Sequence, residues 1–508
     1  MTKPTMDRRE FLKLAAAGGT SLAVAGCGGL GTRPQAQPNV LFVFDDQLRA
    51  DVCSVYGGRN LTTPNIDRLA SEGVVFTNSV SSCPLCTPYR GMVQTGRYPT
   101  HSGILFNFVE ANHRQNPNCL ADVFGAAGYD TGFIGKWHLS SGWRREEGLY
   151  QPDGTAVAAY QSKNPETEYV APGPGRLGYR HWQAFNFHCD FRNYWFYETE
   201  PVRLYSGRYE TDTETDQAMA HMEECRLGGR PFLLTVAPHP PHPPNDAGAV
   251  PPGYLEQMPQ TLWWSPNVPD DKRPSDEEMR SYLAMAKNVD DNLGRMLDYL
   301  EASGLAANTI VVFSADHGDM KGSHGRYNKM VPYAEAMNIP LVMRWPNRIP
   351  AGLRLDTLHM PMDHLPTLCG LAGLPIPREV DGADLSGVVL GKGGDRRDEI
   401  LIGNYTSNWD FLQTGTDWPE WRGVKTKQYT YCKWLAGSEE LYDNLADPYQ
   451  MANLAVGDQA PAELQRLRAR LSELLAAAHD DFRAGPGYGE WYDDQRNLVR
   501  TGLGPVPT

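Results

Sequence analysis

Five short and nearly unbroken apolar runs, at residues 40–44, 131–134, 232–236, 309–313 and 339–343, end in polar residues and recur along most of the chain. A strand that is apolar at consecutive positions has no solvated face, so such runs specify a sheet covered on both sides and largely parallel. Helix-like stretches lie between several of them. The clearest opens with the capping box Ser275-Asp276-Glu277-Glu278 and carries Met279, Leu283, Ala286, Val289, Leu293, Met296 and Leu300 at three- and four-residue intervals. With 508 residues, 41% of them hydrophobic, the chain can bury a core of that kind. An α/β domain is therefore expected over residues 39–395. A Gly- and charge-rich passage at 391–397 ends the pattern. Residues 396–508, with strand-like runs at 399–402 and 429–434 and a helix near 462–479, read as a smaller α+β subdomain. No internal repeat is present.

Ligands of open α/β sheets bind beyond the carboxyl ends of strands, and Asp45-Asp46 and Asp316-His317 both follow predicted strands. Asp45, Asp46 and Asp316 offer hard oxygen ligands and His317 a nitrogen, a set that favours calcium, with magnesium or manganese as alternatives. The plainer reading is that an Asp-Asp pair at a strand end caps a helix or lies in a solvated loop. Cys86-Thr87-Pro88-Tyr89-Arg90 is a second notable segment, because its thiol has no general base built in beside it. Cys83-Pro84-Leu85-Cys86 also has redox spacing, but no thioredoxin-like unit surrounds it. Nine cysteines do not make a dense disulfide framework in a chain of this length.

Further segments accompany the cysteine in a fixed order. Pro38-Asn39-Val40-Leu41-Phe42-Val43-Phe44-Asp45-Asp46-Gln47 precedes it, and Gly91-Met92-Val93-Gln94-Thr95-Gly96-Arg97-Tyr98-Pro99 continues from it. Then come Gly132-Phe133-Ile134-Gly135-Lys136-Trp137-His138, His239-Pro240-Pro241-His242-Pro243, and Ser314-Ala315-Asp316-His317-Gly318-Asp319 with Lys329 beyond it. These blocks, in this order, resemble the formylglycine-dependent (type I) sulfatases of the alkaline phosphatase superfamily. The tail segment Glu440-Leu441-Tyr442-Asp443-Asn444-Leu445-Ala446-Asp447-Pro448 resembles the part that closes their C-terminal subdomain.

The resemblance implies an alkaline-phosphatase-like fold, a large mixed and mostly parallel sheet flanked by helices, with a smaller C-terminal α+β subdomain. It implies that a formylglycine-generating or sulfatase-maturating enzyme oxidises Cys86 to an aldehyde (3-oxoalanine), and that the hydrated aldehyde attacks sulfur. The remaining hydroxyl of that gem-diol then expels sulfate by C–O cleavage, an exit that a serine alkoxide lacks. It further implies a divalent metal held by Asp45, Asp46, residue 86, Asp316 and His317. Arg90 would hold the gem-diol or the metal-bound carboxylates, and Lys136 and Lys329 would neutralise sulfate oxygens. His138 would be the base of the elimination. His242, favoured over its neighbour His239, would be the acid or hydrogen-bond donor at the leaving oxygen. Three positions depart from the usual pattern: His317 stands where asparagine is common, and Tyr89 and Gly91 stand where small residues such as Ser and Ala are common.

Residues 1–27 read as an address. Arg8-Arg9-Glu10-Phe11-Leu12-Lys13 resembles a twin-arginine export signal, and Val24-Ala25-Gly26-Cys27 resembles a lipoprotein cleavage box that would place a lipid on Cys27. Residues 28–38 form a linker. A periplasmic or cell-surface enzyme is expected, touching the membrane only through that anchor. The net charge of -14 excludes a nucleic acid partner, which calls for clustered Lys and Arg. The expected substrate is a sulfated small molecule or glycan. Trp409, Trp418, Trp421, His188, Arg192, Tyr194 and Trp195 could line its site, although packing in the subdomains is the commoner use of such aromatics. Two other readings stand beside the sulfatase: a phosphonate monoester or phosphodiester hydrolase with the same nucleophile, and a non-catalytic glycan-binding lipoprotein.

Overall fold

The computed structural model describes residues 37–140, 168–394, 396–406, 420–456, 462–493 and 498–506, apart from residues 108 and 112. The address segment, Cys27, Trp409 and Trp418 lie outside the described residues.

The apolar runs form strands as expected, and each of the central ones is buried along its whole length. In chain order the strands are β1 (Asn39–Asp45), β2 (Val74–Ser79), β3 (Asp130–Lys136), β4 (His181–Phe185), the hairpin β5 (Trp195–Phe196) and β6 (Leu204–Tyr205), β7 (Phe232–Ala237), β8 (Thr309–Ala315), β9 (Leu341–Arg344) and β10 (Leu353–His359). Eight of them make one sheet in the order β10-β2-β9-β8-β1-β7-β3-β4. The neighbours β8, β1, β7, β3 and β4 are mutually parallel. β9 runs antiparallel to both β8 and β2, which makes the sheet mixed. Because parallel strands end at the same edge, Asp45, Lys136, Ala237 and Ala315 deliver the chain to one place.

The capping box works as its residues predict: the Ser275 side chain accepts from Glu278 N at 3.1 Å and starts the helix Asp276–Ala302. All seven of its periodic apolar residues are buried. A second sheet, β11 (Glu399–Asn404), β12 (Trp421–Thr426), β13 (Tyr429–Trp434) and β14 (Glu439–Asp443), is antiparallel throughout and packs on the helix Ala462–Ala477. One apolar cluster joins it to the residues around the cysteine segment, including Val80, Cys83, Met92, Ile402 and Trp421.

The described residues among those considered for sugar stacking are packing residues. Trp421 is fully buried and donates its indole N–H to Met330 O at 2.9 Å. His188 stacks on Trp195 at 4.1 Å between ring centres, Tyr194 is fully buried beside them, and Arg192 donates to Val250 O at 2.7 Å.

Candidate active site

Cys86 is the first residue of the helix Cys86–Thr95, every residue of which is buried. The helix ends at Gly96, whose φ of 66° is the left-handed conformation that lets its N–H reach Met92 O. The two unusual motif residues have local reasons. The Tyr89 ring fills a buried slot beside Phe44, and Gly91 faces Ile104, whose side chain would lie 2.8 Å from an added Cβ.

The carboxyl ends of β1, β3, β7 and β8 surround Cys86. Its Sγ lies 3.1 Å from His317 Nε2, 3.7 Å from Asp46 Oδ1 and 3.9 Å from Lys136 Nζ. Ligand atoms of Asp46, Cys86, Asp316 and His317 all lie within 4.8 Å of one another. Arg90, one turn along the helix, donates to Asp46 Oδ2 and Asp316 Oδ2, each at 3.1 Å, and to the backbone oxygen of Lys136. It therefore ties one oxygen of each carboxylate and leaves Asp46 Oδ1 turned toward Cys86 and His317 and Asp316 Oδ1 toward His317. Lys136 Nζ pairs with Asp46 Oδ2 as well.

Asp45 stands outside the close group of four. It is fully buried, and neither of its carboxyl oxygens has a hydrogen-bond partner among the described residues. Burial, then Asp316 and Asp46, push its carboxyl well above the ordinary range. Burial and Asp46 likewise raise Asp316 to about 7, although Arg90 and Lys136 oppose them. Asp46 is the exception: burial raises it, but Lys136, His242, Arg90 and His317 together hold it well below the ordinary range. Three buried carboxylates, one with both oxygens unsatisfied, fit a divalent cation better than they fit each other. The donor set, rich in oxygen with one imidazole nitrogen, suits calcium or another hard ion.

Lys329 Nζ donates to Gln47 Oε1 at 2.5 Å and lies 3.4 Å from His242 Nε2. Lys136 Nζ donates to His239 Nε2 at 3.0 Å. His239 and His242 thus do not compete for one place; each faces its own lysine, with 4.6 Å between their ring centres. Burial and the lysines lower both histidines well below the usual imidazole range. His242 Nδ1 lies 2.7 Å from Pro243 O, so that nitrogen carries the hydrogen and Nε2 is the acceptor. His138 is buried at the end of β3 with φ of 53°, packs on Phe187, and is also held neutral by burial and by Lys136.

Three contributors carried no assigned role in the sequence. Gln47 N donates to Asp316 Oδ1 at 3.0 Å, and its side chain bridges Asp319 and Lys329. Ser81 Oγ donates to Asp316 O at 2.6 Å. Glu210 accepts from His239 N at 2.9 Å. Only Gln47 was within reach of sequence reasoning, since it follows Asp45-Asp46 directly.

Burial pushes the Glu210 carboxyl up to about 8, against 4.5 ordinarily. Between those values the folded chain holds a proton that the unfolded chain has released, so this group's contribution to stability falls as pH rises through about 4.5 to 8. Glu210→Gln keeps an oxygen for His239 N and is expected to flatten the decline of Tm over that window. A Tm–pH curve that matches wild type would place the proton elsewhere.

The family model described as Sulfatase matches residues 38–374, and one described as N-sulphoglucosamine sulphohydrolase, C-terminal, matches residues 322–477. The chain is 32% identical over 463 residues to the ulvan-active sulfatase of Formosa agariphila, covering 90% of this chain and 84% of that protein. It is 29% identical over 483 residues to the endo-4-O-sulfatase of Bacteroides thetaiotaomicron, covering 87% and 92%. A solved 4S-sulfatase structure, described with glycosaminoglycan metabolism by the same bacterium, superposes with a TM-score of 0.75 at 28% identity, over 89% of this chain and 98% of that one. The fold, the gathered site and these matches lead to one assignment: the chain belongs to the sulfatase family and is a sulfuric ester hydrolase.

Proposed function

We propose that the enzyme removes sulfate monoesters from a sulfated polysaccharide outside the cytoplasm, with residue 86 working as an aldehyde beside a calcium ion. The observation that carries this reading is the position of Cys86 Sγ, between Asp46, His317 and Lys136 at a helix start. The thiol itself is ill suited to attack: burial, with Asp46, pushes it up to about 12, so it stays protonated at neutral pH. Oxidised and hydrated, residue 86 would supply an oxygen nucleophile with a second hydroxyl for the exit. A cation held by Asp45, Asp46, Asp316 and His317 would supply Lewis acidity toward a sulfate oxygen.

The chain's own groups take the remaining work. Lys136 and Lys329 are the cations for charge that builds on the sulfate oxygens. Arg90 is a positioning residue that fixes the carboxylates. His138, held neutral, is the base that accepts a proton in the elimination. His242 has an acceptor nitrogen beside Lys329, so its donation to the leaving oxygen would draw on a proton relayed from that lysine. A polysaccharide substrate is supported by the relatives named ulvan-active sulfatase and endo-4-O-sulfatase. Twin-arginine export, with a lipid on Cys27 and maturation by a formylglycine-generating or sulfatase-maturating enzyme, completes the proposal. Among the described residues no helix is long and apolar enough to cross a membrane.

The test pairs mass spectrometry of the Cys86 peptide, from protein made in its own host, with kinetics on matched aryl sulfate and aryl phosphonate and with sulfate release from ulvan-type and glycosaminoglycan chains. An aldehyde at residue 86, a higher kcat/KM for the sulfate and release from a polysaccharide are expected. A persistent thiol in active enzyme, or a preference for the phosphonate, would overturn the reading.

A further inference from the structure

At the opposite edge of the sheet, where β3 begins at Asp130 and β4 at His181, a second group of ligating side chains gathers. The helix Glu210–Gly228 packs on β3 and β7 and brings His221 and Cys225 there, one helical turn apart. His221 Nε2 lies 3.5 Å from Asp130 Oδ1 and 3.6 Å from Cys225 Sγ. Ligand atoms of these three residues all lie within 4.8 Å of one another. His181 stacks on His221 with 3.9 Å between ring centres.

Several features point to a ligand. Cys225 is fully buried and His221 is 3% exposed, and the ring nitrogen that His221 turns to both Asp130 Oδ1 and Cys225 Sγ is Nε2, so the three donors converge in a nearly closed space. Residue 132 is glycine, and a Cβ there would lie 3.0 Å from His221 Nε2, crowding the nitrogen that faces the group. Arg230 pairs with Asp130 Oδ2 at 2.6 Å, which leaves Oδ1 for another partner. The Arg230 side chain is 57% exposed and Asp130 is 13% exposed, so that side of the group opens to water and gives an ion a way in.

We propose that Asp130, His221 and Cys225 form a second metal site, distinct from the catalytic one, that takes zinc or a similar borderline cation, with His181 at its rim. One imidazole, one thiolate and one carboxylate are the donors zinc prefers, and water would complete four-coordination. The catalytic set is richer in oxygen, so the two sites sort hard from soft cations. Binding replaces the thiol proton of Cys225 by the metal and releases that proton to solvent, with no change of oxidation state.

Cobalt(II) is the probe. The protein is prepared on a Cys86→Ala, Cys189→Ser background, which removes the catalytic cysteine and the one that lies near His239 and His242. A thiolate-to-cobalt charge-transfer band is expected, displaced by zinc and left unchanged by calcium, and absent after Cys225→Ala. On the same background zinc is expected to raise Tm, and His221→Gln to abolish the rise while circular dichroism stays native. No band, a band that survives Cys225→Ala, or variants that lower Tm equally with and without zinc would overturn the site and leave a strand-to-helix tie. None of these readouts depends on sulfate hydrolysis, so the proposal fails separately from the assigned activity.

Discussion

Cys86→Ala is expected to lower kcat toward an aryl sulfate by about 10⁴- to 10⁶-fold, the range seen when a hydrolase loses its nucleophile. The remainder should reflect binding and electrostatic stabilisation by Lys136 and Lys329, which the substitution leaves in place. Cys86→Ser separates two roles of the same residue. A serine oxygen can attack sulfur and release the alcohol, but the resulting ester has no second hydroxyl with which to break its C–O bond. One equivalent of alcohol per enzyme, followed by arrest and a protein heavier by one sulfo group, is expected in stopped-flow and intact-mass measurements. Continued turnover by the serine variant at the natural rate would show that the proposed aldehyde chemistry is not needed.

Lys136→Ala should act on both rate and stability. Loss of a cation aimed at developing charge typically lowers kcat by about 10²- to 10³-fold. The same substitution removes a partner of Asp46, a carboxylate with no exposure of its own. A buried pair broken outright costs about 3–5 kcal/mol, but Asp46 keeps Arg90 at 3.1 Å, so the expected loss lies below that range. The loss should be largest after chelation and smaller in calcium, since a cation at Asp46 takes over part of the compensation. Denaturant melts with and without the metal give this comparison directly. Unchanged turnover would remove Lys136 from the reaction, and a stability loss indifferent to calcium would move the ion away from Asp46.

The parts of the fold that sequence reveals are those whose surroundings are uniform. β1, β7 and β8 are covered on both faces and therefore read as unbroken apolar runs. β2, β4 and β10 lie toward the two ends of the sheet, mix buried with partly or fully exposed positions, and carry residues such as Asn78, His181 and Arg354 that mask their periodicity. The antiparallel direction of β9 has no local signal, because a strand's sense depends on where its connections run. Within the site, Asp45, Asp46, Asp316 and His317 were legible because they follow predicted strands, whereas Cys86 and Lys136 stood out through the blocks that resemble the sulfatases. Glu210 was not: in Glu210-Thr211-Asp212-Thr213-Glu214 it looks like the solvated first turn of a helix, and only tertiary packing places it under His239. The separate pairing of His239 with Lys136 and of His242 with Lys329 is likewise set by the way the loop after β7 folds back.

The burial of the whole Cys86–Thr95 helix sets an order of events for the proposed maturation. In the finished molecule Arg90 is clamped between two carboxylates and Pro88 is packed inside, so the proposed maturase would meet the cysteine, proline and arginine together only before they close. Under that proposal oxidation would have to precede collapse of this region, and a molecule that closed first would keep its thiol. The fraction of converted protein would then measure how slowly this region folds relative to the proposed maturase, so variants that hasten folding would lower the yield of active enzyme even as they raise its stability.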